Sequence, residues 1–397
     1  MRLPAGFVAS GVRSGVRRSR PDLALVVCEK GATAAALFTR NRFPAAPVVL
    51  SRAALRASGG RVHAAVINAG CANAITGRAG ADAARRVQRR AAELLRCPPE
   101  RVFLASTGVI GVVLPDARIR KALPAAVARL SAGGLDAASH AILTTDVGPK
   151  VAAASFRAGG RRRRIVGFAK GAGMIHPDMA TMLAFVMTDA AASPAYLKAA
   201  LRRAADESFH TISVDGDTST NDTVLLLASG AADAADTAPL EESGPGSAEF
   251  EGALTDVCRE LAWRIVRDGE GATRVMEVTI EGAASRRDAK LAAHAVATSP
   301  LVKTALNGGD PNWGRILAAV GRSGARVAPA RARLAVNGLC LVEAGAPAAY
   351  RERDAARHFA RERVPITVYL GAGTASARVL SSDLGHDYVS LNADYRS

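Results

Sequence analysis

Residues 181–187, Thr181-Met-Leu-Ala-Phe-Val-Met187, form an apolar run entered through a segment that no regular helix crosses easily. That segment, Lys170-Gly-Ala-Gly-Met-Ile-His176-Pro177-Asp178, holds two glycines and a proline that fixes φ and lacks a backbone donor. A short apolar run bounded in this way reads as a buried strand. Such a strand needs sheet neighbours, and residues 23–27, 45–50, 64–67, 102–105, 223–228, 275–280 and 366–370 have strand character. In 45–50, Pro47 favours an edge or a strand start. Residues 334–342 read as a hairpin turning on Asn337-Gly338 in a type I′ turn.

Helical patterns fall between these runs. Residues 80–96 read as an amphipathic helix closed by Pro98-Pro99, and 116–135 as a helix with its connection. Ser193-Pro194 opens a helix to about Phe209, with serine as N-cap and proline at the first helical position. Residues 231–247, rich in Ala, Ser, Gly and Pro, read as a connector. The helix after it places Phe250, Leu254, Val257, Cys258, Leu261 and Ile265 on one face. A further helical segment covers 288–306. Strands interleaved with helices predict an α/β fold. A polar stretch near residue 285 suggests a boundary between a body over 1–285 and a smaller α/β domain over 286–380, followed by a tail over 381–397.

Net charge is +16, but the excess is nearly all arginine, 45 Arg against 7 Lys, dispersed along the chain. With 4% aromatic residues there are few stacking platforms for a nucleic acid, so no nucleic-acid partner is expected. Arg161-Arg-Arg-Arg164 follows Gly159-Gly160 and reads as a hairpin with solvated guanidinium groups. Five scattered cysteines with no Cys-x-x-Cys argue for a reducing cytoplasm and against a structural zinc. No apolar run approaches the ~20 residues that span a bilayer, so no membrane partner is expected.

Several short signals carry chemistry. A strand ending in Thr107-Gly108 can present a hydroxyl and an N–H at one point, as an oxyanion hole requires. Thr144-Thr145-Asp146 is either a helix end or a polar lip. Asn68 and Asn73 suit a structural turn as well as a close ligand approach. Asp215, Asp217 and Asp222 lack the order of a calcium loop, so no metal is expected. Glu270, set between two glycines, reads as a turn.

The complete string from Lys170 to Phe185 resembles the identifying segment of the ornithine acetyltransferase family, also called glutamate N-acetyltransferases, of arginine biosynthesis. The resemblance runs from Arg40-Asn-Arg42 to the last residue. It includes Gly269-Glu270-Gly-Ala-Thr273, the acidic run from Ser213 to Asp222, and Asn307-Gly-Gly-Asp-Pro-Asn-Trp-Gly-Arg315. Departures are Ala172 where serine is frequent, Asp178 for asparagine and Arg274 for lysine. Asp178 puts the rate of self-cleavage in question, not the family.

The resemblance implies a layered α/β sandwich related to N-terminal-nucleophile folds, and a chain that cuts itself between Ala180 and Thr181. Thr181 would then be the nucleophile, with Thr107 and Gly108 holding the oxyanion. Thr144 (with Thr145 the near alternative), Lys170, Thr181, Glu270, Asn392 and Ser397 would contact substrate. It implies a cytoplasmic enzyme passing acetyl from N2-acetyl-L-ornithine to L-glutamate without a cofactor. It leaves open acetyl-CoA as a second donor, a secondary-metabolite pathway, and a related amidase that uses water. The fragments 1–180 and 181–397 would stay associated, as a heterotetramer of two of each.

Overall fold

The computed structural model describes residues 1–176, 182–233 and 238–394. Through the first part of the chain the strands are β1 Phe7–Val12, β2 Leu23–Phe38, β3 Arg61–Cys71, β4 Val102–Val109, β5 Lys150–Ala158, β6 Arg161–Lys170, β7 Leu183–Thr188, β8 Ile212–Ser213 and β9 Thr223–Ala228. The helices among them are α1 Ala46–Ala57, α2 Gly77–Leu95, α3 Asp116–Ala128, α4 Leu135–Ala141, α5 Pro194–Asp206 and α6 Ser247–Arg267. Six strands follow: β10 Val275–Ala283, β11 Arg333–Val336, β12 Leu339–Glu343, β13 Ala346–Pro347, β14 Arg363–Tyr369 and β15 Ala375–Ser382. With them come α7 Arg286–Ala297, α8 Pro300–Gly308, α9 Trp313–Gly321, α10 Glu352–Phe359 and α11 His386–Asp394. The expected α/β class holds.

The first sheet runs β4-β3-β2-β9-β7-β6-β5, with β1 paired to β2. Its centre is the expected apolar run: all six residues of β7 are buried, as are all six of β9. Strand alternation assigns the faces. Ile165, Ala184, Val186, Val224 and Leu226 pack under α5 and α6, while Val166, Phe168, Phe185, Leu225 and Leu227 pack toward α4. Phe168 and Phe185 are registered opposite each other and stack at 5.2 Å. Toward the β4 edge, α2 and α3 cover Leu23, Leu25, Val66 and Leu104.

The second sheet runs β13-β12-β11-β14-β10-β15-β8 and has its own core under α7, α8 and α9. β10 lies before the boundary expected near residue 285, yet it is central here, parallel to β14 and antiparallel to β15. The two-residue β8 reaches over from the first part of the chain to pair with β15.

Three local readings change. Residues 45–50 open helix α1 rather than a strand. Pro47 sits in its first turn, where a missing N–H costs nothing, and the buried positions Pro47, Val48, Ser51 and Ala54 follow helical spacing. The 288–306 segment is two helices, because Ser299 caps α8 and Pro300 starts it. Arg163 is not solvated: alternation along β6 turns it inward, where it pairs with Asp233. Other readings hold, including the Ser193 cap of α5, the inward face of α6 and the Asn337-Gly338 turn, both residues at positive φ.

Candidate active site

The ends of the first sheet's strands bring the candidate residues together. Lys170 ends β6 and pairs in register with Leu183 at the start of β7, which pairs with Thr223 at the start of β9. Thr107 and Gly108 lie at the end of β4, held beside β3. Two segments of the later chain close over this point: the turn after α6 that carries Glu270, and α11, which carries Asn392.

One small pocket, about 80 Å³, is lined by Thr107, Gly108, Thr144, Lys170, Glu270 and Asn392. These are all the expected site residues among the described ones. Thr181, the Ala180–Thr181 bond and Ser397 lie outside the described residues. A larger groove of about 400 Å³ between α6 and the second sheet, near Trp263 and Arg363, gathers none of them.

Each side chain is tied down. Lys170 Nζ donates to Thr144 Oγ1 at 2.7 Å and to Thr107 Oγ1 at 3.4 Å. Asn392 Nδ2 donates to Glu270 Oε2 at 2.8 Å, and the Glu270 N–H donates to the Ala172 carbonyl at 2.9 Å. Gly173 runs so close to the Glu270 carboxylate that no side chain fits between them. Gly108 has φ of +128°, and a Cβ there would meet the Gly70 backbone at 2.3 Å, so the strand end admits only glycine. Thr144 makes the contact to Lys170, and Thr145 also lines the pocket.

A model of the ArgJ family matches residues 8–397. The chain belongs to the ArgJ family. It is 48% identical over 397 residues to the arginine biosynthesis bifunctional protein ArgJ of Geobacter sulfurreducens, covering 99% of each chain. The protein of that name from Thermus thermophilus is 47% identical over 396 residues, covering 100% of this chain and 99% of its own. A crystal structure of the arginine biosynthesis bifunctional protein argJ from Bacillus halodurans superposes with TM-score 0.51 at 40% identity. It covers 53% of this chain and 98% of its own.

In this ArgJ-family chain, the supports of the pocket were not legible as functional residues. Asp146 is buried and receives Lys150 Nζ at 2.6 Å, and Lys150 Nζ also donates to Asp268. Burial pulls the Lys170 pKa below the usual lysine value, against the opposing pull of Asp146. Asn221 donates to the carbonyls of Ala72 at 2.7 Å and Ser106 at 2.8 Å, bracing the strand end before Thr107. Ser106 Oγ donates in turn to Asn68, which makes Asn68 part of the scaffold. Asp215 accepts the N–H groups of Met174 and Ile175, and Met174 is held at φ of +58°. Asp222 accepts the Met182 N–H at 3.2 Å, and among the described residues its other oxygen has no hydrogen-bond partner within ordinary geometry. Burial pushes that carboxyl well above the usual range. The acidic run 215–222 was legible as a loop near the site; its task of holding backbone was not.

Proposed function

We propose that this chain transfers the acetyl group of N2-acetyl-L-ornithine to L-glutamate through an acetyl ester on Thr181. The observation that carries the reading is the convergence of six residues from five separate segments on one pocket with a buried ammonium, a carboxylate and a hydroxyl-glycine strand end. The chain's relatives, named arginine biosynthesis bifunctional proteins, support it.

Thr181 Oγ attacks the acetyl carbonyl while its own α-amine, with a pKa of ~8, takes the proton. Thr107 and Gly108 stabilise the oxyanion. Ornithine leaves, and the amine of glutamate attacks the ester and departs as N-acetylglutamate. Lys170 holds the substrate carboxylate; Glu270, with Asn392 and Ser397, faces the amine-bearing side chain. An uncut chain has an amide at Thr181 and lacks that base, so self-cleavage between Ala180 and Thr181 switches the enzyme on. The solved Bacillus halodurans chain is about as long as one of the two expected fragments. It covers 53% of this chain with 98% of its own length, and residues 181–397 would be about 55%.

The test is intact mass under denaturing conditions, with acetyl-transfer assays with and without glutamate. The expected result is two fragments, 1–180 and 181–397, turnover that requires glutamate, and an uncut, inactive Thr181→Ala chain. A single 40.9 kDa species that transfers acetyl normally would overturn the nucleophile. Hydrolysis unaffected by glutamate would replace the transferase with an amidase.

A further inference from the structure

Asp146 takes no part in the steps above, yet the Thr144–Lys170 wall of the pocket hangs from it. Its side chain is fully enclosed. One carboxylate oxygen accepts Lys150 Nζ at 2.6 Å and the Gly171 N–H at 2.6 Å. The other accepts the Thr144 N–H at 3.0 Å and its hydroxyl at 3.4 Å, and stands 3.7 Å from Lys170 Nζ. One carboxylate thus fixes the loop carrying Thr144, the chain leaving β6, and the ammonium between Thr144 and Thr107.

The charge arrangement is equally specific. Two buried lysines meet Asp146, and Lys150 has a second carboxylate of its own in Asp268. Asp268 also accepts the Val147 N–H at 3.1 Å, which pins the loop beyond Asp146. With Lys150 shared in this way, Asp146 remains the near counter-charge for Lys170. Burial alone would raise the Asp146 pKa, but Lys170 and Lys150 outweigh it and hold the carboxyl below its usual range, so it stays ionised.

We infer that Asp146 is a positioning residue for the acetyl transfer: it aims the Lys170 ammonium and supplies the counter-charge that lets a buried lysine bind a substrate carboxylate. The inference rests on the proposed role of Lys170 as the carboxylate contact. Its pH consequence follows from the groups that face Lys170. Burial lowers the Lys170 pKa most; Asp146 opposes this first, Lys150 adds to the fall, and Glu270 and Asp222 oppose it. Without Asp146, Lys170 loses its proton at a lower pH. Substrate binding then weakens as pH rises.

The test compares mature wild type, Asp146→Asn, Asp146→Glu and Lys170→Met by steady-state kinetics on acetyl-ornithine from pH 6 to pH 9. For Asp146→Asn the expected KM is raised roughly tenfold at the alkaline end, the worth of one hydrogen bond to a charged group, and falls toward wild type at the acid end. Its kcat should change far less. Asp146→Glu keeps the charge and loses the aim, so its KM should be raised by a factor that does not vary with pH. A pH-independent rise in Asp146→Asn would mean a plain structural brace and overturn the inference. Should Asp146→Asn give no folded enzyme, a wild-type KM in Asp146→Glu would overturn it instead. Lys170→Met separates the two layers. An unchanged KM there removes the carboxylate role of Lys170, whereas a raised KM there beside a wild-type Asp146→Asn removes only the inference about Asp146.

Discussion

Adding one methyl group at Gly173 should damage substrate binding while leaving the fold intact. A Cβ at Gly173 would lie 2.6 Å from Glu270 Cδ and Oε2 and 2.7 Å from Oε1, where ordinary contact begins at 3.4 Å. The carboxylate would therefore retreat by roughly 0.8 Å. Its bond from Asn392 is 2.8 Å long, and a retreat of that size breaks it or drags Asn392 along. Gly173 is not among the glycines at positive φ, so alanine fits its backbone. The displaced neighbour is the end of a side chain rather than main chain. Hydrogen bonds to charged groups contribute about 1.5–3 kcal/mol, or about 10- to 150-fold in binding. Gly173→Ala should raise the KM for acetyl-ornithine by about that factor, with a thermal midpoint close to wild type. The double variant Gly173→Ala/Glu270→Asp, one methylene shorter, should recover part of the loss. Wild-type kinetics in a folded Gly173→Ala enzyme would refute the assignment of Glu270 to substrate.

Thr107→Ala should lower kcat by about 10²–10³-fold, the ~2.7–4 kcal/mol of barrier typical of one oxyanion donor, with KM little changed, checked by steady-state kinetics on fully cleaved enzyme. Lys303 is buried against Ser381 and Ser382, and burial lowers its pKa to about 8. Because the unfolded chain keeps that proton up to ~10.4, the Lys303 contribution to folding stability should rise with pH between about 8 and 10.4, by on the order of 3 kcal/mol, while the buried Cys28 and Cys258 thiols, pushed up to about 11 and about 12, pull the other way above ~8.5. Urea unfolding of the uncut Thr181→Ala chain should show the rise as a widening difference, across that window, from the same chain carrying Lys303→Met. Arg163→Ala removes the counter-charge of half-buried Asp233, which keeps the Ala191 N–H, and should cost about 1–3 kcal/mol in the same assay with little effect on KM.

Local rules recovered much of the fold. Where a signal lies within a few residues, as in Ser193-Pro194, Asn337-Gly338 or the face of α6, sequence and structure agree. The apolar run 45–50 failed because six apolar neighbours suit a strand or a helix equally, and only Ser51 and Ala54 beyond it reveal the helical period. Arg163 failed because a run of four arginines hides the strand alternation that turns one of them inward. Asp146 was out of reach for a different reason. Its partners Gly171 and Lys170 come from a strand end more than twenty residues away, and Asp268, which shares Lys150 with it, lies over a hundred residues from Asp146. Asp383 is similar: it accepts the N–H groups of Thr273 at 2.8 Å and Arg274 at 3.0 Å, fastening the Glu270 turn to the second sheet. Family resemblance found the residues that gather at the pocket, and geometry found those that hold them.

The strand order of the first sheet bears on how the protein can be made. Going from β4 to β5, the ribbon passes from upstream polypeptide into β9 and β7, both downstream of the proposed cut between Ala180 and Thr181, and then back to upstream β6 and β5. Each product therefore lacks what the other holds: one would be a sheet missing its middle, the other a pair of strands with two bare edges. Folding must come before cutting. The halves synthesised from separate genes should tend to aggregate, whereas the nicked product of a single folded chain is interlocked by its own hydrogen bonds.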